Sequence, residues 1–424
     1  MLIEPAAALE GHFAVPGDKS ISHRALLVGA IADGETRIRG FGRSADTEST
    51  LAAVRALGVE VHDAETVTVH GASLRGLQSA EVDCGNAGTL VRLVAGILAG
   101  QDGKRFELVG DESLSRRPMG RIADPLTQMG ATVETTGGGL PLRIEGRSLT
   151  PLRYELPVAS AQVKSCVLLA GLLAEGGPTT VVEPVPTRDH TERMLRAAGA
   201  TVRTSPGEVE VRPAERLDPL RLTVPGDFSS AAPFLVAATL LPGSRLRISG
   251  VCVNPTRTGL MAVLERMGAR ISLYNRTASG GEPVADIEVE HSDLVATEIG
   301  PGEVPGMIDE LPLFALAASM ARGDSVVRGA AELRQKESDR IEAVTDALRA
   351  LGIRIKSSED GFRVRGVPSR PRGGAMESSG DHRIAMLGAV AGLVSREGVR
   401  IEGAEAVSVS FPGFYDVLSS VTQQ

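Results

Sequence analysis

The residues best suited to chemistry lie in short polar segments, each opening a long apolar stretch. Lys19-Ser20-Ile21-Ser22-His23-Arg24 opens the first, Gly85-Asn86-Ala87-Gly88-Thr89 the second and Ser160-Ala161-Gln162-Val163-Lys164-Ser165 the third. Gly226-Asp227-Phe228-Ser229-Ser230, Ile308-Asp309-Glu310 and Asp381-His382-Arg383 open the next three. A helix start exposes unpaired N–H groups and partial positive charge, a setting that suits phosphate or carboxylate. Ser229, Asp309 or Asp381 alone would read as ordinary helix caps. Lys19, Arg24 and Arg383 do not, because a cation opposes the helix dipole unless an anion intervenes. More cations precede other helix starts, in Ser115-Arg116-Arg117-Pro118, Pro186-Thr187-Arg188-Asp189-His190 and the run Leu333 to Arg340. For Arg334 and Asp339 a solvated, salt-bridged helix start suffices. Only five of the 45 basic residues are lysines, yet Lys19, Lys164 and Lys336 fall in these segments. That bias indicates a need for a compact ammonium. Lys164 is the weakest of the three and reads equally as a solvated helix residue.

The elements that must position these residues form a repeat. The apolar stretches begin near Ser20, Asn86, Ala161, Ser229, Asp309 and Asp381, so the period is about 70 residues. Each is apolar on most sides and must be buried. Between them lies a helix with a one-sided stripe, as in Ile341, Val344, Leu348 and Leu351. Five of these second helices end at Gly58, Gly130, Gly199, Gly268 and Gly352, where a left-handed cap costs least. Alternating strands such as Val209-Glu210-Val211 and Phe362-Arg363-Val364 follow. The unit is helix, strand, helix, strand, strand, and six copies imply an α/β (α+β) protein of two domains with three units each. One domain is expected over residues 16–225, the other over 1–15 plus 226–424, with crossings near Pro16-Gly17 and Pro225-Gly226. The N-terminal segment is expected to supply a strand to the second domain. If the units run parallel, their helix starts converge and build an anion site between the domains.

Composition narrows the function. At 424 residues, 42% hydrophobic and 23% charged, the chain reads as a soluble globular protein too long for one core. A net charge of −8 argues against nucleic acid or an anionic membrane as partner, so any anionic ligand needs a local basic site. Cys84, Cys166 and Cys252 are far apart, which fits a reducing cytoplasm without disulfides. No signal peptide or membrane span is evident. Gly17-Asp18-Lys19-Ser20 misses the phosphate-loop spacing, and Gly40-Phe41-Gly42 lacks the third Gly of a dinucleotide fingerprint. The seven His residues show no metal-ligand spacing with Cys or Glu.

Taken together, Pro16 to Arg24, Gly85 to Thr89, Arg117-Pro118-Met119-Gly120, Ser160-Ala161-Gln162, Lys336-Glu337-Ser338-Asp339-Arg340 and Asp381-His382-Arg383 closely resemble the 3-phosphoshikimate 1-carboxyvinyltransferase (5-enolpyruvylshikimate-3-phosphate synthase) family. Ser-Ala-Gln-Val-Lys in the third unit resembles a bacterial subgroup. The resemblance implies the enolpyruvyl transferase fold, two domains of three βαβαββ units with the active site in the cleft between them. It implies transfer of the enolpyruvyl group of phosphoenolpyruvate to the 5-hydroxyl of shikimate 3-phosphate, without metal or organic cofactor, by a cytoplasmic monomer. By the same resemblance, shikimate 3-phosphate is expected at Lys19, Ser20, Arg24, Ser160, Ala161, Gln162, Arg188, Asp309 and Lys336. Phosphoenolpyruvate is expected at Lys19, Asn86, Gly88, Arg117, Gln162, Arg340 and Arg383. Asp309 is expected as base and Glu337 as acid, with Lys19 offsetting charge on the intermediate; Glu310 is the alternative to Asp309. Val409 stands where many relatives carry a Lys before Thr-Phe-Pro. A relative that uses UDP-N-acetylglucosamine usually has a Cys, sometimes an Asp, in the loop here reading Asp111 to Ser115, and Cys84 reads as a small buried residue.

Overall fold

The structure, a computed structural model, describes residues 1–423. Its contacts divide the chain into two units. The terminal unit comprises Met1–Pro16, Pro225–Thr277 and Pro283–Gln424, and the inserted unit comprises Gly17–Val224 with Ala278–Glu282.

Central and one-sided helices alternate. The inserted unit carries α1 (Lys19–Ala30), α2 (Ala45–Ala56), α3 (Gly88–Ala99), α4 (Gly120–Gln128), α5 (Ala161–Gly171) and α6 (His190–Ala197). The terminal unit carries α7 (Phe228–Leu240), α8 (Gly259–Met267), α9 (Leu311–Met320), α10 (Arg340–Ala350), α11 (His382–Val394) and α12 (Phe414–Val421). The odd-numbered helices are the apolar stretches of the repeat. Every residue of α7 and of α11 is buried, which is the consequence of having no polar face to turn outward. The one-sided helices bury a single stripe: in α10, Ile341, Val344 and Leu348 face the core. All five glycines that close these helices have positive φ, from +83° at Gly352 to +110° at Gly130.

The first, second, third and fifth repeats each end in a four-stranded sheet, and the sheet of the fourth gains a fifth strand from Thr422–Gln423. In the second, Ala80–Asp83 runs parallel to Arg105–Val109, and Gly139–Glu145 and Thr132–Thr136 extend it antiparallel. Val82 lies opposite Leu108, and Phe106 opposite Ile144, so the period-two pattern puts one apolar face inward. The first repeat takes its leading strand from Arg221–Thr223, parallel to Asp33–Arg39. The N-terminal segment supplies two strands where one was expected. Ala8–Ala14 pairs parallel with Arg245–Cys252, and Leu2–Ile3 pairs antiparallel with Val399–Glu402.

Two glycine contacts set how closely elements approach. A Cβ on Gly17 would lie 2.0 Å from the Gly40 carbonyl oxygen, and one on Gly42 2.0 Å from that of Gly17. Gly40-Phe41-Gly42 is thus a close backbone crossing. On α3, a Cβ at Gly96 would lie 2.2 Å from the Cys166 carbonyl oxygen of α5. Backbone on backbone cannot be relieved by a rotamer change, so Gly96→Ala is expected to destabilise by about 1–3 kcal/mol. Gly120→Ala, with nothing within 4 Å, is the control and is expected to be neutral or stabilising in urea unfolding. Equal midpoints for both variants would refute this packing.

Candidate functional site

In the inserted unit the three helix starts are joined by side chains. Asp18 caps α1 by accepting from Ile21 N, and Lys19 beside it pairs with Asp46 at 2.7 Å. Arg24 is buried, donating to Thr191 Oγ1 at 2.7 Å, to the Ser20 carbonyl at 2.9 Å and to Ser165 Oγ at 3.1 Å. That contact links α1 to α5 and α6. Ser160 caps α5 by accepting from Val163 N, with Ala161 as the first helical residue. Next to it, Gln162 donates to Thr89 Oγ1 at 3.0 Å and accepts from Arg92 Nη1 at 2.6 Å, which links α5 to α3. Residues at similar depth in each helix touch, so these helices run in the same direction and their starts lie at one end.

Asn86 and Arg117 complete this cluster. Arg117 donates to Asn86 Oδ1 at 2.7 Å, and Asn86 Nδ2 donates to Asp111 Oδ2 at 2.6 Å. Gly88 opens α3 below them; a methyl there would sit 3.0 Å from Nη1 of both Arg117 and Arg92. Sequence reading missed Arg92. Its signal was a single Arg within the apolar run Leu90-Val91-Arg92-Leu93-Val94.

In the terminal unit one guanidinium organises the carboxyls. Arg340, 1% exposed at its side chain, contacts Asp309 Oδ1 at 3.2 Å, Glu337 Oε2 at 2.7 Å and Asp381 Oδ2 at 2.8 Å. Lys336 Nζ stands 3.9 Å from the same Asp309 oxygen. Asp381 caps α11 by accepting from Arg383 N, so one carboxylate fixes both Arg340 and the helix start that bears Arg383. Burial would raise the Asp381 carboxyl, but the charge and hydrogen bonds of Arg340 outweigh it and hold it below its ordinary range.

The neighbours Asp309 and Glu310 separate cleanly. Glu310 has a side chain with no exposure and is gripped by Arg257 at 3.0 and 3.1 Å and by the Ser229 hydroxyl. Asp309, 16% exposed, faces Lys336 and Arg340 instead. Arg257 is a second residue that sequence reading missed, and no local pattern marks it. Ser229 is not the cap expected of it: Asp227 caps α7 by accepting from Ser229 N, which leaves the Ser229 hydroxyl for Glu310. Arg383 donates to the Ser229 carbonyl at 3.2 Å. Nor does Asp309 cap a helix; it lies in the 3-10 turn Ile308–Glu310. Arg334 and Asp339 form the expected ion pair, 2.6 Å apart. Arg188 is half-buried just before α6, and Val409 ends a 3-10 segment, Ala404–Val409. Lys164 is not a solvated residue: its side chain is 1% exposed, 2.7 Å from Glu192 and 3.1 Å from Glu183.

The family model for EPSP synthase (3-phosphoshikimate 1-carboxyvinyltransferase) matches residues 3–418. The chain is 50% identical over 427 residues to a 3-phosphoshikimate 1-carboxyvinyltransferase of Citrifermentans bemidjiense, covering 100% of this chain and 99% of the relative. This chain belongs to the EPSP synthase family. It is accordingly an enolpyruvyl transferase of the shikimate pathway, with a mixed α/β fold. The relative from Geobacter sulfurreducens is 49% identical, with 98% of each chain covered. Among solved structures, EPSP synthase from Acinetobacter baumannii superposes with a TM-score of 0.88 at 43% identity, over 100% of this chain and 98% of that one. The enolpyruvyl transferase NikO from Streptomyces tendae shares the fold, with a TM-score of 0.79 at 21% identity over 99% and 96% of the two chains. Among the described residues, no helix is long and apolar enough to cross a membrane.

His23, beside Lys19 and Arg24, gives the site's surroundings a pH signature. Burial is the main cause that lowers its pKa to about 3; Asp46 opposes the shift, and Lys19 and Arg24 add to it. The folded chain keeps His23 neutral, whereas the unfolded chain protonates it as pH falls below 6.5. Its contribution is complete above that pH and is lost as pH falls toward about 3. Stability from urea unfolding is expected to drop by up to about 1.4 kcal/mol per pH unit in this window on account of His23 alone. His23→Asn should flatten the slope by one proton; an unchanged slope would contradict the assignment.

Proposed function

We propose that the chain moves the enolpyruvyl group of phosphoenolpyruvate onto the 5-hydroxyl of shikimate 3-phosphate through the residues described above. The observation that carries the assignment is the placement of Asp309 and Glu337 on one buried guanidinium, with Lys336 beside Asp309. Carbon 2 of phosphoenolpyruvate becomes electrophilic when its methylene is protonated, and the attacking hydroxyl must lose a proton. Glu337 gives the first proton and Asp309 takes the second. The addition product then expels phosphate: its C–O bond breaks, and the methyl group returns a proton as the vinyl group re-forms. Lys19 offsets negative charge on the intermediate. Burial and pairing disqualify Glu310 as base, since its carboxylate is occupied by Arg257.

Arg117, Arg340 and Arg383 hold the carboxylate and phosphate of phosphoenolpyruvate, with Asn86, Gly88 and Gln162 alongside. Ser20, Arg24, Ser160, Ala161, Gln162, Arg188 and Lys336 hold shikimate 3-phosphate. At position 409 a Val offers no ammonium to assist. The protein works as a monomer in the cytoplasm, the compartment being supported by three buried cysteines, none of them in a disulfide; burial is the main cause that pushes the Cys84 thiol up to about 12.

Purified protein is expected to release phosphate from phosphoenolpyruvate only when shikimate 3-phosphate is present. Release with UDP-N-acetylglucosamine instead would assign the other acceptor, and release with neither would mark a silent binding scaffold. Glu337→Gln is expected to cut kcat by about 10²–10⁴-fold while both substrates still bind, measured by calorimetry. Lost binding with intact turnover would remove Glu337 from the acid role.

A further inference from the structure

The first turn of α6 is polar where a helix packed among others is expected to be apolar. His190, Thr191 and Glu192 are all buried there, and each meets a different partner. His190 Nδ1 lies 2.8 Å from Glu282 Oε1, Thr191 Oγ1 accepts from Arg24, and Glu192 pairs with Lys164. Lys164 Nζ also reaches Glu183, 3.1 Å from its nearer oxygen, and the Thr187 carbonyl at 3.4 Å. Glu183 in turn accepts from Thr187 N at 3.1 Å and from its hydroxyl. Two buried cations, Arg24 and Lys164, and two buried carboxylates, Glu183 and Glu192, therefore form one layer between α1, α5 and α6. Arg188 follows Thr187 directly, and its charge is felt at Arg24, whose own pKa burial lowers to about 10.

We propose that Lys164 is a positioning residue for the acceptor's phosphate: by bridging Glu183, Glu192 and the Thr187 carbonyl, it fixes both the loop that carries Arg188 and the first turn of α6, whose Thr191 holds Arg24. The inference rests on the reading of Arg24 and Arg188 as ligands of shikimate 3-phosphate. It also accounts for lysine in a chain that otherwise uses arginine. One tetrahedral ammonium donates to three acceptors around a point, which a planar guanidinium cannot do in the same volume.

The test measures shikimate 3-phosphate affinity by calorimetry, with steady-state kinetics, for Lys164→Met, Lys164→Arg, Thr187→Val and Arg24→Ala. Both Lys164 variants are expected to weaken the acceptor by about 10-fold or more while kcat and the KM for phosphoenolpyruvate change by less than about 3-fold. Thr187→Val, which removes only the hydroxyl bond to Glu183, should weaken it by about 3-fold. A purely structural lysine would lower the thermal midpoint and leave that affinity ratio unmoved. If Arg24→Ala weakens the acceptor and the Lys164 variants do not, the positioning role is wrong. If Arg24→Ala has no effect, the underlying assignment fails instead. Should Lys164→Met not fold, Lys164→Arg and Thr187→Val decide, and wild-type affinity in both would overturn the proposal.

Discussion

The terminal unit's chemistry depends on the pairing of Arg340 with Asp309, Glu337 and Asp381. Taking a guanidinium out of water costs several kcal/mol, and only well-placed opposite charge offsets that. Three carboxylates do so here, and each is thereby fixed in place. Asp381 adds a second constraint, because it also caps the helix that carries Arg383. One interaction therefore sets the separation of the two carboxyls proposed for proton transfer and the start of a cation-bearing helix. Deleting one partner of such a buried pair typically costs about 3–5 kcal/mol, so the same residues serve stability and chemistry.

In the inserted unit Lys19 and Lys164 are also paired with carboxylates, whereas the contacts of its arginines at the helix starts include neutral groups. Arg24 is held directly by two hydroxyls and a carbonyl, with the carboxylates of Glu183 and Glu192 one layer further away. Side-chain amides of Asn86 and Gln162 orient Arg117 and Arg92. Neutral acceptors such as these fix the direction of a guanidinium through geometry as well as charge. That division lets a chain with a net charge of −8 keep a local basic surface. The six-fold repeat makes it economical: each central helix is buried along its length, so its start is the only part available to a ligand.

What could be read from the sequence was whatever depends on near neighbours. The central helices begin within two residues of their anticipated positions, from Lys19 for Ser20 to Leu311 for Asp309, because apolar content and flanking polar residues are local signals. The closing glycines were legible for the same reason. Capping was less so: Asp227 caps where Ser229 stood as candidate and Asp309 caps no helix, since a cap depends on φ, ψ and not on residue type alone. Lys164 was misjudged because its partners lie 19 and more residues away, Glu183 just after the strand Thr179–Val182 and Glu192 on α6. Arg257 was invisible, as its partners are distant in sequence, with Ser229 28 residues before it and Glu310 53 residues on.

The contrast between Asp309 and Glu310 shows why such distant partners decide function. Both lie in one 3-10 turn, where successive side chains point about 120° apart. That geometry guarantees that only one carboxyl can face inward, but does not choose which. Arg257 makes the choice by occupying the inward position with a guanidinium matched to both oxygens of Glu310. Ser229 then extends the constraint: its hydroxyl meets Glu310 and Arg257, and its carbonyl accepts from Arg383. The carboxyl presented to Lys336 and the cation at the start of α11 are thus referenced to the same buried residue. A shift that displaced one would displace the other, which preserves the spacing between proton transfer and anion binding.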